Sequence, residues 1–182
     1  MSEYGINSIS SLTFREGVRS RIQMYLGSDD IEGVYQALKE IINNSTDEAL
    51  AGYGKKIEIK LDENNGISVR DFGRGVPFGI RENGENVLVS IYTQSHTGGK
   101  FNHDSYKNAS GLNGVGGSCV CLSSKSFIVR SFRDGKMAEA TFTKGELDNY
   151  KEEVLFDFYE LGLGTPIGVS AEQAKGLGDL LD

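Results

Sequence analysis

The chain predicts an α+β sandwich, with helices on one face of a mixed, mostly antiparallel sheet and a long glycine-rich segment crossing it. Three observations carry this reading. Apolar residues recur at helical spacing from Ile31 to Leu50, two stretches alternate apolar and charged residues around short turns, and 24 glycines crowd a chain that has only two prolines.

Residues 1 to 13 are polar and serine-rich and read as an N-terminal arm, with one domain's worth of chain, 14 to 182, behind it. A short helix is expected over Phe14 to Ile22. Gly27-Ser28-Asp29-Asp30 forms a turn whose aspartates can cap a long helix from Ile31 to Leu50, with Val34, Leu38, Ile41, Ile42 and Ala49 on its apolar face. Gly52 or Gly54 ends it. Lys56 to Leu61 and Gly66 to Arg70 alternate about an Asn64-Asn65-Gly66 turn, which predicts a hairpin with one buried face. Val87 to Tyr92 reads as a short helix, and 97 to 117, with six glycines, as an irregular lid. A helix over Val115 to Leu122 follows, then strands at 126 to 133 and 136 to 144 joined by Asp134-Gly135, with further strands at Val154 to Tyr159 and Ile167 to Ser170.

Composition narrows the class. At 182 residues, 38% hydrophobic and 25% charged, the chain has the balance of a globular domain. Its net charge of −7 makes it a poor direct partner for DNA or an anionic membrane, so nucleic-acid contacts would belong to other domains. No apolar run reaches the ~20 residues of a membrane span, and the expected location is cytoplasmic. Cys119 and Cys121 are the only cysteines; with His96 and His103 they would make an unusually spaced zinc set, and they read as buried thiols in a reducing compartment.

The long helix carries polar groups that a plain core helix would lack. At ~3.6 residues per turn, Glu40, Asn44 and Asp47 project within roughly 60° of one another, and Asn44 and Glu48 form an i, i+4 pair. A carboxylate such as Glu40, facing a water-poor pocket, can orient and deprotonate an attacking water. The Asn44 amide offers Mg²⁺ a hard oxygen. Taken singly, either residue would pass for helix surface; the stripe is what points to chemistry.

Two loops extend the site. Asp71 ends an alternating strand and opens Phe72-Gly73-Arg74-Gly75-Val76-Pro77, where a carboxylate can accept the exocyclic amino hydrogen of adenine or, in the blander case, cap an Asx turn. Gly73 and Gly75 admit a flat ring close to the backbone, and Arg74 can pair with Glu48 to wall it. Gly111 to Ser118 can cradle phosphate where a helix starting near Val115 turns its positive end outward. It is neither a Walker A loop nor a dinucleotide fingerprint, since the spacing of lysine and glycine fits neither.

This order of motifs, Glu-x-x-x-Asn on a helix, Asp-x-Gly-x-Gly after a strand and then a glycine-rich lid, resembles the GHKL ATPases, which include gyrase B, the heat-shock chaperones of that superfamily, histidine kinases and MutL. The resemblance is closest to the ATPase domain of type IIA topoisomerase B subunits, gyrase and topoisomerase IV. Val18 to Arg21, Met24 to Gly27, Asn44 to Gly52, Gly99-Lys100-Phe101, Ser105-Tyr106-Lys107 and Ser110 to Gly116 carry it, over residues 15 to 145.

The resemblance implies a GHKL (Bergerat) fold that binds ATP and Mg²⁺. Glu40 would be the catalytic base and Asn44 the metal ligand, with Asp47 and Glu48 beside them. Asp71 would read adenine with Gly73, Gly75, Pro77 and Thr165 on the base side. Lys100, Tyr106, Lys107, Gly111, Leu112, Asn113, Gly114, Val115 and Gly116 would form lid and phosphate loop. Arg74 and Arg133 would line the outer mouth, where inhibitors of the family bind. Tyr4 would belong to an arm that reaches into a partner's site when two copies dimerise on ATP.

The resemblance also implies a topoisomerase A-type partner subunit, DNA held by other domains, and further transducer and cleavage-core domains for which 182 residues leave no room. Weak hydrolysis is therefore expected of this chain alone. Several positions depart from the pattern: Phe72 for a usual Asn, Asn43 for Asp, Ile22-Gln23 for Pro-Gly, Asn113 for His and Gly117 for Val. Another GHKL module, such as a kinase, a chaperone or a nucleotide-dependent dimerisation unit without topoisomerase activity, is the alternative.

Overall fold

The structure, a computed structural model, describes residues 11–97 and 115–154, and the backbone of strand 170–174. Five helices and six strands fall in these ranges: α1 Phe14–Ser20, α2 Ile22–Leu26, α3 Ile31–Leu50, β1 Ile57–Leu61, β2 Ile67–Asp71, α4 Val87–Thr93, α5 Gly116–Ser123, β3 Ser126–Arg133, β4 Lys136–Thr143, β5 Glu146–Val154 and β6 Ser170–Ala174. The strands form one sheet in the order β1-β2-β6-β3-β4-β5. Every described pairing is antiparallel, so the expected mixed character does not arise among them.

The long helix has the expected bounds because both ends are signalled locally. Asp30 accepts a hydrogen bond from the Glu32 amide at 2.9 Å, and Gly52 follows the last turn at φ +91°. At the first helix the expectation was wrong by a break. α1 ends at Ser20, and Arg21, with φ −142° and ψ 51°, separates it from α2. The backbone thus turns where a continuous helix to Ile22 was expected, and α2 buries Leu26 before Gly27 stops it at φ 80°.

Helices cover one face of the sheet. Along β3 only alternate residues, Phe127, Val129 and Ser131, are buried, and β4 contributes Ala138, Ala140 and Phe142 to the same core. These meet Val34, Ala37 and Ile41 of α3, Leu88 and Tyr92 of α4, and Cys119 to Leu122 of α5. Phe127 stands between Tyr92 and Phe142, with ring centroids 5.3 and 6.1 Å away. α5 is buried on all sides, as befits a helix held between α3, α4 and α1.

Two strand expectations need correction. The β1/β2 hairpin turns at Asn65, φ 59°, as its sequence requires, but only β2 buries its apolar side: Val69 is 2% exposed, whereas Ile59 is 51% and Leu61 70%. β1 is the sheet edge, and α3 packs one strand further in, on β2. The strand β5 over Glu146–Val154 was not anticipated, and the one expected at 154 to 159 lies past Val154 outside the described residues. β5 is an edge strand with almost every side chain in solvent, so no apolar alternation marks it; the left-handed pair Lys144-Gly145, φ 51° and 77°, folds it back on β4. The strand expected at Ile167 to Ser170 meets the described chain only at Ser170, where β6 begins.

No helix among the described residues is long and apolar enough to cross a membrane. Cys119 and Cys121 are free and buried, and burial, with the Glu40 charge adding to it, pushes the Cys119 thiol up to about 12. Burial drives Cys121 higher still.

Candidate nucleotide site

The site is assembled on α3. Asp71, the last residue of β2, is 9% exposed and reaches this helix through its carboxylate: Oδ2 accepts from the Ser45 hydroxyl at 3.0 Å, and Oδ1 accepts from the Gly73 amide at 3.0 Å. Burial raises the Asp71 pKa, the two donors oppose the rise, and the Glu48 charge adds to it. The carboxylate is therefore both held and desolvated. Asx-turn geometry is present too, since the Gly73 bond is its signature, so the capping role expected of Asp71 is formed.

Beyond Asp71 the loop is pinned to the same helix. Arg74 forms a two-bond pair with Glu48, Nε to Oε2 at 3.0 Å and Nη2 to Oε1 at 2.8 Å, and its amide also donates to Oε2 at 3.3 Å. The pair anticipated from sequence is formed. The guanidinium lies 4.0 Å from the centre of the Tyr53 ring, a cation–π contact that covers one of its faces. Gly73 is tightly enclosed: a Cβ there would stand 3.1 Å from Asp71 Oδ1 and from Glu48 Cβ, so those neighbours would have to give way slightly. Gly75, at φ +75°, would place one 2.3 Å from the Phe132 carbonyl. The loop thus rests on β3, where Ser131 donates to the Val76 carbonyl at 2.6 Å and exposed Arg133 donates to the Gly75 carbonyl at 3.4 Å. Pro77, next in the chain, is exposed.

Phe72, the departure from the usual pattern, points to a different set of partners. Its ring sits between Lys56 Nζ at 5.5 Å and the Arg70 guanidinium at 5.0 Å. It packs the turn after α3 against the end of β2, with Gly54 close to its backbone.

From the middle of α3 toward its C-terminal end, Glu40 and Asn44 are half-buried and Asp47 is buried. Glu40 Oε1 accepts from Gln36 Nε2 at 2.8 Å. Its other oxygen lies over the start of α5, close enough that a Cβ on Gly116 would be 2.1 Å from Oε2. A Cβ on Gly117 would be 3.7 Å from Asn44 Nδ2. Val115, the residue before α5, supplies no side-chain cap, so among the described residues no side chain is recorded as capping the first amides of that helix. The start of α5 thus faces a carboxylate and an amide across two glycines.

Among the described residues no group of three or more His, Cys, Asp or Glu side chains is gathered to hold a metal ion. Mg²⁺ needs no such cage, because it usually takes one or two protein oxygens and fills its octahedron with water and phosphate. Asn44 carries such an oxygen on a side-chain amide that lies beside Gly117 at the start of α5. The residues present fit the ion.

The fold thus brings together Glu40, Asn44, Asp47, Glu48, Asp71, Gly73, Arg74, Gly75, Val115, Gly116 and Arg133 around α3 and the loops that touch it. Tyr4, Lys100, Tyr106, Lys107, Gly111, Leu112, Asn113, Gly114 and Thr165 lie outside the described residues. Sequence reasoning missed Ser45 and Tyr53. Ser45 had a signal: it follows Val34, Ala37 and Ile41 on the buried stripe, where a hydroxyl needs a partner.

The family described as "Histidine kinase-, DNA gyrase B-, and HSP90-like ATPase" matches residues 29–146. The B subunit of DNA gyrase from Thermus thermophilus is 42% identical over 145 residues, covering 79% of this chain and 23% of that protein. The B subunit of DNA topoisomerase 4 from Staphylococcus aureus is 40% identical over 144 residues, 79% of this chain and 22% of that one. The chain thus spans under a quarter of the length of these relatives. The crystal structure of the 43K ATPase domain of Thermus thermophilus gyrase B in complex with an aminocoumarin superposes with a TM-score of 0.66 at 32% identity, covering 88% of this chain and 37% of that one. On this evidence the chain belongs to the histidine kinase-, DNA gyrase B- and HSP90-like ATPase family, the GHKL fold.

Proposed function

We propose that this chain is the ATP-binding domain of a type II topoisomerase B subunit, in which ATP and Mg²⁺ drive two copies together to gate the passage of a DNA duplex. One observation supports the reading above the rest: α3 is met at Ser45 by Asp71 and at Glu40 by the start of α5. The two contacts are five residues apart, about 8 Å along the helix axis. A single nucleotide laid along α3 would then have a purine end and a phosphate end.

At the purine end Asp71 accepts the amino hydrogen of adenine, with Gly73 and Gly75 leaving the ring room and the Glu48–Arg74 pair walling it. Arg133 borders the outer mouth, and Thr165 and Pro77 belong to the base side. At the other end Glu40 accepts a proton from the attacking water. Bound through Asn44, Mg²⁺ would supply positive charge to the phosphate oxygens. The first amides of α5, with the loop from Gly111, Leu112, Asn113 and Gly114 and the lid residues Lys100, Tyr106 and Lys107, complete the anion side. Residues 1 to 13, with Tyr4, form the arm exchanged between two copies, and residues 14 to 182 the ATP-binding domain. A topoisomerase A-type subunit and DNA are partners of the larger assembly, in a reducing cytoplasm.

Calorimetric titration of ATP, with and without Mg²⁺, tests this together with turnover. The chain binds ATP, D71N does not, and E40A binds without turning it over. Turnover of the chain alone is slow. Failure to bind ATP, or binding indifferent to D71N, overturns the reading; brisk Glu40-dependent turnover by the single chain overturns its dependence on further domains.

A further inference from the structure

We propose that β1 is an interface with a second copy of this chain: two β1 strands pair antiparallel about a two-fold axis at Ile59, without nucleotide, and join their sheets into one. Among the described residues β1 pairs with β2 alone and stands at one end of the sheet. Its apolar side faces solvent, with Ile59 51% and Leu61 70% exposed. Such an edge is a template for any extended chain, and charged side chains commonly guard it. Here the charges choose the partner.

The backbone has the phase this pairing needs. In the hairpin the Asp62 amide donates to the Gly66 carbonyl at 2.8 Å, toward β2. Successive residues of a strand turn their amides and carbonyls to opposite sides, so Glu58 and Lys60 share that direction, and Ile57, Ile59 and Leu61 turn theirs to the edge. Two copies related by an axis at Ile59 then exchange backbone bonds at Ile59 itself and between Ile57 and Leu61.

The side chains set the register. From Lys55 to Glu63 the sequence reads Lys-Lys-Ile-Glu-Ile-Lys-Leu-Asp-Glu, and every sign inverts when it is read backwards about Ile59. Glu58 therefore faces Lys60 of the second copy, Lys56 faces Asp62 and Lys55 faces Glu63 just past the strand ends, while Ile57 meets Leu61 and Ile59 meets itself. Glu58 takes Lys56 of its own chain on Oε1 at 2.5 Å, and its second oxygen is the one that meets Lys60. Moving the axis by one residue sets Glu58 on Glu58 or Lys60 on Lys60. Pairing odd positions with even ones turns the apolar side of one copy to the charged side of the other. A parallel pairing staggered by two residues also matches charges, but it is head-to-tail and grows into chains instead of closing.

The contact is independent of the candidate nucleotide site, to which β1 contributes no residue. It is also small: a standard interface takes ~20–30 residues a side, and this edge brings far fewer, so the dissociation constant should be on the order of 0.1 mM.

Sedimentation equilibrium of the chain without nucleotide, up to about 1 mM, tests the proposal. The chain should approach a dimer and go no further. K60E and E58K each set like charges across the axis and should weaken that dimer at least about tenfold. Mixed in equal amounts, the two variants match one another again and should associate as the parent does. E58K also brings a lysine opposite Arg70 of β2; if that prevents folding, I59K, which charges the apolar side at the axis, is the second variant expected to remain monomeric. A parent chain that stays monomeric to about 1 mM, association that grows past the dimer, a K60E protein that dimerises as the parent does, or folded K60E and E58K proteins that ignore one another would each overturn the inference.

Discussion

Asp71, the proposed adenine contact, shows how a buried carboxylate can be costly to the fold. Burial raises its native pKa above that of the unfolded chain, ~3.9. For a raised native pKa the stability contribution is fully present below the unfolded value and is lost as pH rises through the native one. At neutral pH the ionised side chain is therefore a burden. We expect D71N to melt at the same temperature as the parent or higher at pH 7, with the advantage shrinking below pH 4, while losing ATP; calorimetric scans across pH would contradict this if D71N melted lower at pH 7. Glu48 and Arg74 are partly buried and doubly bonded, so a double-mutant cycle with E48Q and R74A should give a coupling of about 1 kcal/mol in urea unfolding, at the upper end for ion pairs near a surface. A coupling near zero would mean that Tyr53, rather than Glu48, holds the guanidinium. This pair was legible because a glutamate and an arginine flanked the two site motifs. Ser45 was passed over because a single serine inside a helix is an ordinary sight unless its phase on the helix is counted.

Elements were legible where local chemistry marks both ends. α3, α4, α5 and the β3/β4 hairpin follow caps, glycines and alternating residues. The break at Arg21 and the strand β5 do not, because one is a backbone choice with no proline or glycine to announce it and the other owes its existence to pairing with β4. Glycines at the element junctions make sharper predictions. G75A puts a Cβ 2.3 Å from a backbone carbonyl in a left-handed conformation, and should lower stability by roughly 1–3 kcal/mol in urea unfolding. G116A differs in kind, because its Cβ would strike the mobile end of Glu40. Alanine suits a helix better than glycine. We therefore expect G116A to unfold no more easily than the parent while its slow turnover drops at least tenfold, measured at high protein concentration; full turnover in G116A would remove Glu40 from the chemistry.

At the scale of the whole molecule the sheet order explains why distant segments meet. β6 enters between β2 and β3, so the end of β2 and the loop after it are set beside β3, and the helices on one face bring α5 against α3. Sequence shows which segments carry polar groups, and only this topology shows that Asp71 and the start of α5 both meet one helix. A ligand bound across α3, the 71–75 loop and α5 would add a further link between three elements already in contact. By linkage, saturating ATP at about a hundredfold excess over its dissociation constant should stabilise the fold by about 2.7 kcal/mol. The gain should vanish in D71N, and an equal gain in that variant would place the nucleotide elsewhere.

The most direct measurement is a crystal structure of this chain with Mg²⁺ and a non-hydrolysable ATP analogue. We expect one nucleotide, its 6-amino group within hydrogen-bond distance of Asp71 and its terminal phosphate beside Glu40 at the start of α5. A nucleotide that touches one of these carboxylates and runs away from the other would contradict the proposal.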